Sequence, residues 1–160
     1  MEYIDLIILI GLQASGKSTF AQSRFADYVY VSKDAMRNVR NKARRQEAMI
    51  RRAFEEGRSV VVDNTNPSVE VRAELVALGR EFGARIIGYY FASPLKDCLA
   101  RNRQREGTTC VPDVALYTTR RSLQTPSFAE GFDALYYVTI DVEQQNFTVA
   151  EWQEDDVAHE

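Results

Sequence analysis

An α/β fold, a parallel five-stranded sheet with helices on both faces, is what the sequence predicts. Short apolar runs rich in Val, Ile and Tyr alternate with longer helical segments along the chain, as in a parallel sheet joined by crossover helices. The first run, Leu6–Ile10, is continuously apolar, as a strand covered on both faces must be. It ends at the glycine of "GLQASGKSTF", Gly11–Phe20, where the backbone turns sharply before a helix.

The remaining elements follow in order. Lys17–Arg24 reads as the first helix, and "YVYVS", Tyr28–Ser32, as the second strand. A long helical stretch runs from Asp34 to about Gly57, which can serve as its C-cap. "SVVVD", Ser59–Asp63, is the third strand. Pro67 suits a first helical position, and that helix continues to about Phe82. "ARIIGYYFA", Ala84–Ala92, is the fourth strand, followed by a helix from Pro94 through about Arg105. Pro112 opens another helix, and "ALYYVTI", Ala134–Ile140, is the fifth strand. The expected domain therefore spans 1–141. Residues 142–160 are acidic and read either as an untethered tail or as a short helix, with Thr148 and Glu151 as its capping box.

Composition narrows the classes. The 160 residues suit one domain, and 45% apolar with 27% charged residues is ordinary for a globular protein. A net charge of −3 excludes a bulk polycation, so nucleic-acid binding needs a local basic surface. Cys98 and Cys110, with no secretory leader ahead of them, are expected as reduced thiols in a cytoplasmic protein. The apolar run near the N-terminus is too short to span a membrane, so no membrane association is expected. The single histidine, His159, leaves no histidine-based triad and few zinc sites.

"GLQASGKS" fits G-x-x-x-x-G-K-[ST] at Gly11, Gly16, Lys17 and Ser18. Glycines let successive N–H groups converge on phosphate oxygens, and the following helix adds its positive end. Lys17 neutralises β- and γ-phosphates, and Ser18 offers a hydroxyl to Mg²⁺. The cradle is expected to comprise Gly11, Ala14, Ser15, Gly16, Lys17, Ser18 and Thr19. A strand before it and a helix after it set it apart from a chance glycine turn. The expected ligand is a nucleoside triphosphate with Mg²⁺, taken as ATP because no N-K-x-D guanine reader occurs.

Three further groups should project beyond the carboxyl ends of the strands, where ligands of such sheets bind. Asp34 and Arg37, in "VSKDAMR", are three apart and share a helix face, so Asp34 can accept an alcohol proton and Arg37 can hold a phosphate. The plainer alternative is a helix cap beside a solvated charge. Asp63, opening "DNTN" after an apolar strand, can hold a Mg²⁺ water or orient Arg37, or else simply begin a turn. Arg101 and Arg105, in "ARNRQREGTTCVP", face one way on a helix and suit an arginine lid over the γ-phosphate, or a basic surface helix. "RNVRNKARRQEAMIRR", Arg37–Arg52, is basic apart from Glu47, and reads as a phosphate-backbone track or a solvated helix.

Together "GLQASGKST", "VSKDAMR", "VVVDNTNPSVEVR", "RNRQREGTTCVP" and "TPSFAEGF" resemble the 5′-hydroxyl polynucleotide kinases. The likeness runs from about Leu6 to Ile140 and covers both the phage end-healing kinase and the kinase domain of eukaryotic polynucleotide kinase–phosphatase. It implies a P-loop NTPase fold with a helical arginine lid. It also implies transfer of the ATP γ-phosphate to the 5′-OH of DNA or RNA. On that resemblance Lys17 and Ser18 serve phosphates and metal, and Asp34 activates the 5′-hydroxyl. Arg37 contacts the substrate's 3′-side phosphate, Asp63 organises Arg37 and the acceptor, and Arg105 is the lid arginine on the transferring phosphate. No D-x-D-G-T motif occurs, so a 3′-phosphatase activity is not expected and a separate phosphatase or ligase would complete end healing. "VSK" stands where that family usually has Asn-Arg before the aspartate. The rival readings are a kinase of a small-molecule hydroxyl, a charged-tRNA kinase, and a nucleotide-binding interaction module.

Overall fold

The computed structural model describes residues 3–141 and 146–153. Its sheet has six strands in the order β2-β3-β1-β4-β5-β6. These are β1 (Asp5–Ile10), β2 (Val29–Val31), β3 (Val60–Asp63), β4 (Arg85–Phe91), β5 (Ala134–Asp141) and β6 (Asn146–Glu151). The first five run parallel, and β6 pairs antiparallel with β5. The helices are α1 (Lys17–Arg24), α2 (Lys42–Glu55), α3 (Val69–Glu81), α4 (Leu95–Arg103) and α5 (Asp113–Ser122).

Alternation along the strands divides the core by face. Leu6, Ile8, Val60, Val62 and Ile86 pack against Ile50, Ala53 and Phe54 of α2 and Leu75, Val76 and Leu78 of α3. On the other face Ile7, Leu9, Val61, Tyr89 and Phe91 pack against Phe20 and Ala21 of α1. β1 lies at the centre and all six of its residues are buried, which explains its continuous apolar run. A third, small cluster joins α4 and α5 to the loop after β1 through Leu12, Cys98 and Leu116.

Two expected elements are corrected. The helix expected from Asp34 begins only at Lys42. Lys33–Ala35 is a single 3₁₀ turn, Met36 is extended, and Asn38 has a φ of 59°. Asn41 then accepts the Arg44 N–H at 3.1 Å and caps α2. Asp34 and Arg37 therefore do not share an α-helical face. The second correction is at 142–160, expected as a tail or short helix. Asn146–Glu151 is a sixth strand, with Phe147 and Val149 turned toward the α1-side cluster. The Thr148–Glu151 capping box does not form, because ladder bonds to β5 and a two-residue apolar period hold the segment extended. Residues 142–145 and 154–160 lie outside the described residues.

Candidate active site

The cradle forms where β1 hands the chain to α1. The Gly11 N–H donates to Thr65 O at 3.1 Å, and the Leu12 N–H donates to Ser93 Oγ at 3.2 Å. The loops after β3 and β4 thus set the path of the turn. Gly16 is the N-cap of α1 with a φ of 97°, and among the described residues no side chain caps that helix. Its terminal N–H groups are left for a ligand, as at anion-binding helix ends. A Cβ on Gly16 would lie 2.8 Å from Ile140 Cδ1 and 3.1 Å from Phe147 Cε1, a crowding that the Ile140 methyl can relieve, so it is the left-handed φ that favours glycine.

Lys17 is buried at 7% exposure. Its Nζ donates to Gly11 O at 2.9 Å and Leu12 O at 2.6 Å, with Ser15 Oγ at 3.4 Å. Burial brings its pKa down to about 8, against the attraction of Asp63 and Asp34 and with the help of Arg105 repulsion. Asp34, Asp63 and Arg105, from three separate segments, thus each act on the charge of Lys17.

Asp63 ends β3 and is 5% exposed. Ser18 Oγ donates to its Oδ2 at 2.7 Å, and the Tyr30 hydroxyl donates to the same oxygen. Tyr30 is pushed up to about 12, first by burial and then by that hydrogen bond. The rest of D-N-T-N is scaffold. Asn64 Oδ1 accepts the Lys33 N–H at 2.9 Å, and its Nδ2 donates to Gln46 Oε1 at 2.6 Å, tying the Asp34 turn to α2. Asn66 Nδ2 donates to Leu9 O at 2.7 Å. Behind it Arg72, wholly buried, donates to Asn66 O at 2.9 Å and to Glu130 Oε1 at 2.8 Å.

Asp34 and Arg37 are both exposed beyond β2, with the Asp34 carboxylate on the turn that Asn64 secures. The lid arginines separate. Arg101 Nε donates to Ala14 O at 2.6 Å, where Ala14 itself has a φ of 63°, so Arg101 braces the cradle. Arg105 falls past the end of α4 rather than on a shared face with Arg101, and its guanidinium donates to Thr109 O at 3.2 Å. The intervening Asn102 ties off the lid loop by donating to Val111 O at 2.6 Å and accepting the Val111 N–H at 3.0 Å.

The basic stretch is partly self-neutralised. Arg51 pairs with Glu81, and Arg52 with Glu56. Arg40, Lys42, Arg44 and Arg45 have no carboxylate in ion-pair range among the described residues. They cluster at the end of α2 nearest the Asp34 turn. A groove of about 570 Å³ between α2 and α3 is lined by Lys33, Arg44 and Arg51, but also by Glu47, Glu74 and Glu81. Its charges balance, so it is no phosphate track.

The sequence reading quoted Asn64 and Asn66 within D-N-T-N without giving them a role, and it missed Tyr30 and Arg72 as parts of this site. The one available signal was Arg72, an arginine on the same stripe as Leu75, Val76 and Gly79 where an apolar residue belongs.

The AAA-domain family model matches residues 6–126. The chain is 30% identical over 138 residues to a bifunctional polynucleotide phosphatase/kinase of Schizosaccharomyces pombe, a match covering 82% of this chain and 32% of that protein. It thus spans about a third of that relative's length. Among solved structures, a chain of the Pnkp1/Rnl/Hen1 RNA repair complex superposes with a TM-score of 0.67 at 21% identity, covering 99% of this chain and 51% of the other. A gluconokinase from Sinorhizobium meliloti 1021 superposes with a TM-score of 0.60 at 19% identity, covering 87% and 84%.

Proposed function

Because the chain belongs to the AAA-domain family and has a P-loop kinase fold, we propose that it transfers the γ-phosphoryl group of ATP to the 5′-hydroxyl of a DNA or RNA end. The observation that supports this reading is Asp63 bonded to Ser18 of the cradle while the next residue, Asn64, secures the turn that carries Asp34. A nucleotide switch needs the lysine and the metal ligands. It has no use for a carboxylate that takes a proton from an acceptor hydroxyl.

Asp34 receives the acceptor's proton as the hydroxyl attacks, Lys17 holds the β- and γ-oxygens, and Arg105 meets charge that develops on the transferring group. Arg37 and the cations Arg40, Lys42, Arg44 and Arg45 engage the phosphates that follow the acceptor. Ser18 and Asp63 offer a hydroxyl and a carboxylate, the few hard oxygen ligands that Mg²⁺ takes from protein beside waters and phosphates. When bound, that ion neutralises charge on the phosphate oxygens. A separate ligase or phosphatase acting on the same ends would be the partner class.

γ-Labelled ATP is offered with matched 5′-OH DNA and RNA oligonucleotides and 5′-phosphorylated controls. Label is expected on 5′-OH ends alone, with a loss of about 10²–10⁴-fold in Asp34→Asn. Wild-type turnover in Asp34→Asn would overturn Asp34 as the base. The fold shared with a gluconokinase favours a second reading, a small hydroxylated metabolite as acceptor. Absence of label on every end, with ATP still bound, would favour it.

A further inference from the structure

The three consecutive cradle residues Leu12, Gln13 and Ala14 are each held by the lid helices. Leu12 packs on Cys98 of α4 and Leu116 of α5, Gln13 Nε2 donates to Thr119 Oγ1 of α5 at 3.0 Å, and Ala14 O accepts from Arg101 of α4. Of these contacts only the Gln13 one leaves a polar atom unsatisfied. Gln13 Oε1 is buried and accepts no hydrogen bond among the described residues. The direction of the amide is fixed by its partner. The Thr119 hydroxyl donates back to Ala115 O at 2.9 Å, so Thr119 Oγ1 is free only to accept. Gln13 must present its NH₂ there and its carbonyl elsewhere.

A buried acceptor without a donor is costly, and the lid carries a donor in excess. Arg105 has five N–H groups, of which one is engaged among the described residues, by the carbonyl of Thr109 in its own loop. We infer that Gln13 is a positioning residue whose carbonyl receives the Arg105 guanidinium when the lid closes over the phosphates. Thr119 holds the amide in the presenting orientation. The inference rests on the phosphoryl-transfer reading of the cradle and is indifferent to the acceptor. Arg101, four residues before Arg105, donates to Ala14 O, the residue after Gln13, so the segment that carries Arg105 is anchored beside that carbonyl.

Fluorescent ADP is titrated with Mg²⁺, with and without aluminium fluoride, a mimic of the transferring group. The readout is the ratio of the two affinities. Gln13→Met is expected to cut that ratio by about tenfold in the wild-type background and to change nothing further in Arg105→Ala. Thr119→Val should cut it in part, and Thr119→Ser should restore it. Gln13→Glu keeps an acceptor oxygen and should keep the ratio. Equal losses from Gln13→Met with and without Arg105, or a ratio that Gln13→Glu abolishes in a folded protein, would overturn the inference. No acceptor is present, so failure to label any 5′-OH end would strike the proposed substrate and leave this result standing.

Discussion

Lys17 makes nucleotide affinity depend on pH. Its pKa near 8 lies below the ordinary 10.5, so the empty site holds a full cation only below about pH 8. As pH rises through that value the cradle loses its charge, and affinity for ADP should fall by up to about tenfold per pH unit. Lys17→Arg stays cationic and should give a flat profile in the same titration. The stability of the unliganded protein runs the other way. Below pH 8 the native state bears the burial of a charged amine; between 8 and 10.5 the unfolded chain binds more protons, so stability rises with pH. Arg72 supports a second residue-level prediction. Removing it strands the 6%-exposed carboxylate of Glu130. Arg72→Ala should cost about 3–5 kcal/mol in urea unfolding. Lys17, Ser18 and Asp63 were legible in the sequence because the phosphate loop has a fixed spacing and Asp63 ends an apolar strand. The Arg72–Glu130 and Tyr30–Asp63 pairs were not, since residues 58 and 33 positions apart meet only once the sheet is assembled.

At the scale of elements, strands proved easier to read than helix boundaries. A buried parallel strand announces itself by composition, whereas the start of α2 depends on one asparagine cap and on Asn38 in a left-handed conformation. β6 was missed because its two inward side chains, Phe147 and Val149, are too few to establish a period, and Thr148 with Glu151 imitates a helix start. Yet β6 supports the cradle. Phe147 meets Phe20 edge-on with ring centroids 5.3 Å apart and closes on Gly16. Phe147→Ala is expected to lower stability by about 2–3 kcal/mol, given its partial burial, and to weaken ADP binding in calorimetry. Gly16→Ala forces a side chain into a left-handed backbone angle that only glycine adopts readily and should weaken ADP binding at least about tenfold in the same assay.

For the whole molecule, the sheet order sets β1 between β3 and β4, so that the turn after β1 is flanked by Asp63 on one side and Ser93 on the other. The net charge of −3 conceals the local excess of cations at the start of α2. Salt should therefore raise the KM for an oligonucleotide acceptor steeply. Replacing Arg40, Lys42, Arg44 and Arg45 by glutamine should raise that KM by at least about tenfold and flatten its salt dependence, measured by steady-state labelling. Among the described residues no helix is long and apolar enough to cross a membrane.

Gly16 is walled by Ile140 and Phe147, side chains from the last two strands of the sheet. During synthesis the phosphate loop therefore emerges from the ribosome long before its rear wall exists. A nascent chain halted ahead of β5 would carry every residue of the nucleotide motif and still lack the surface that shapes it. Capture of the first nucleotide would then report that translation has passed Phe147.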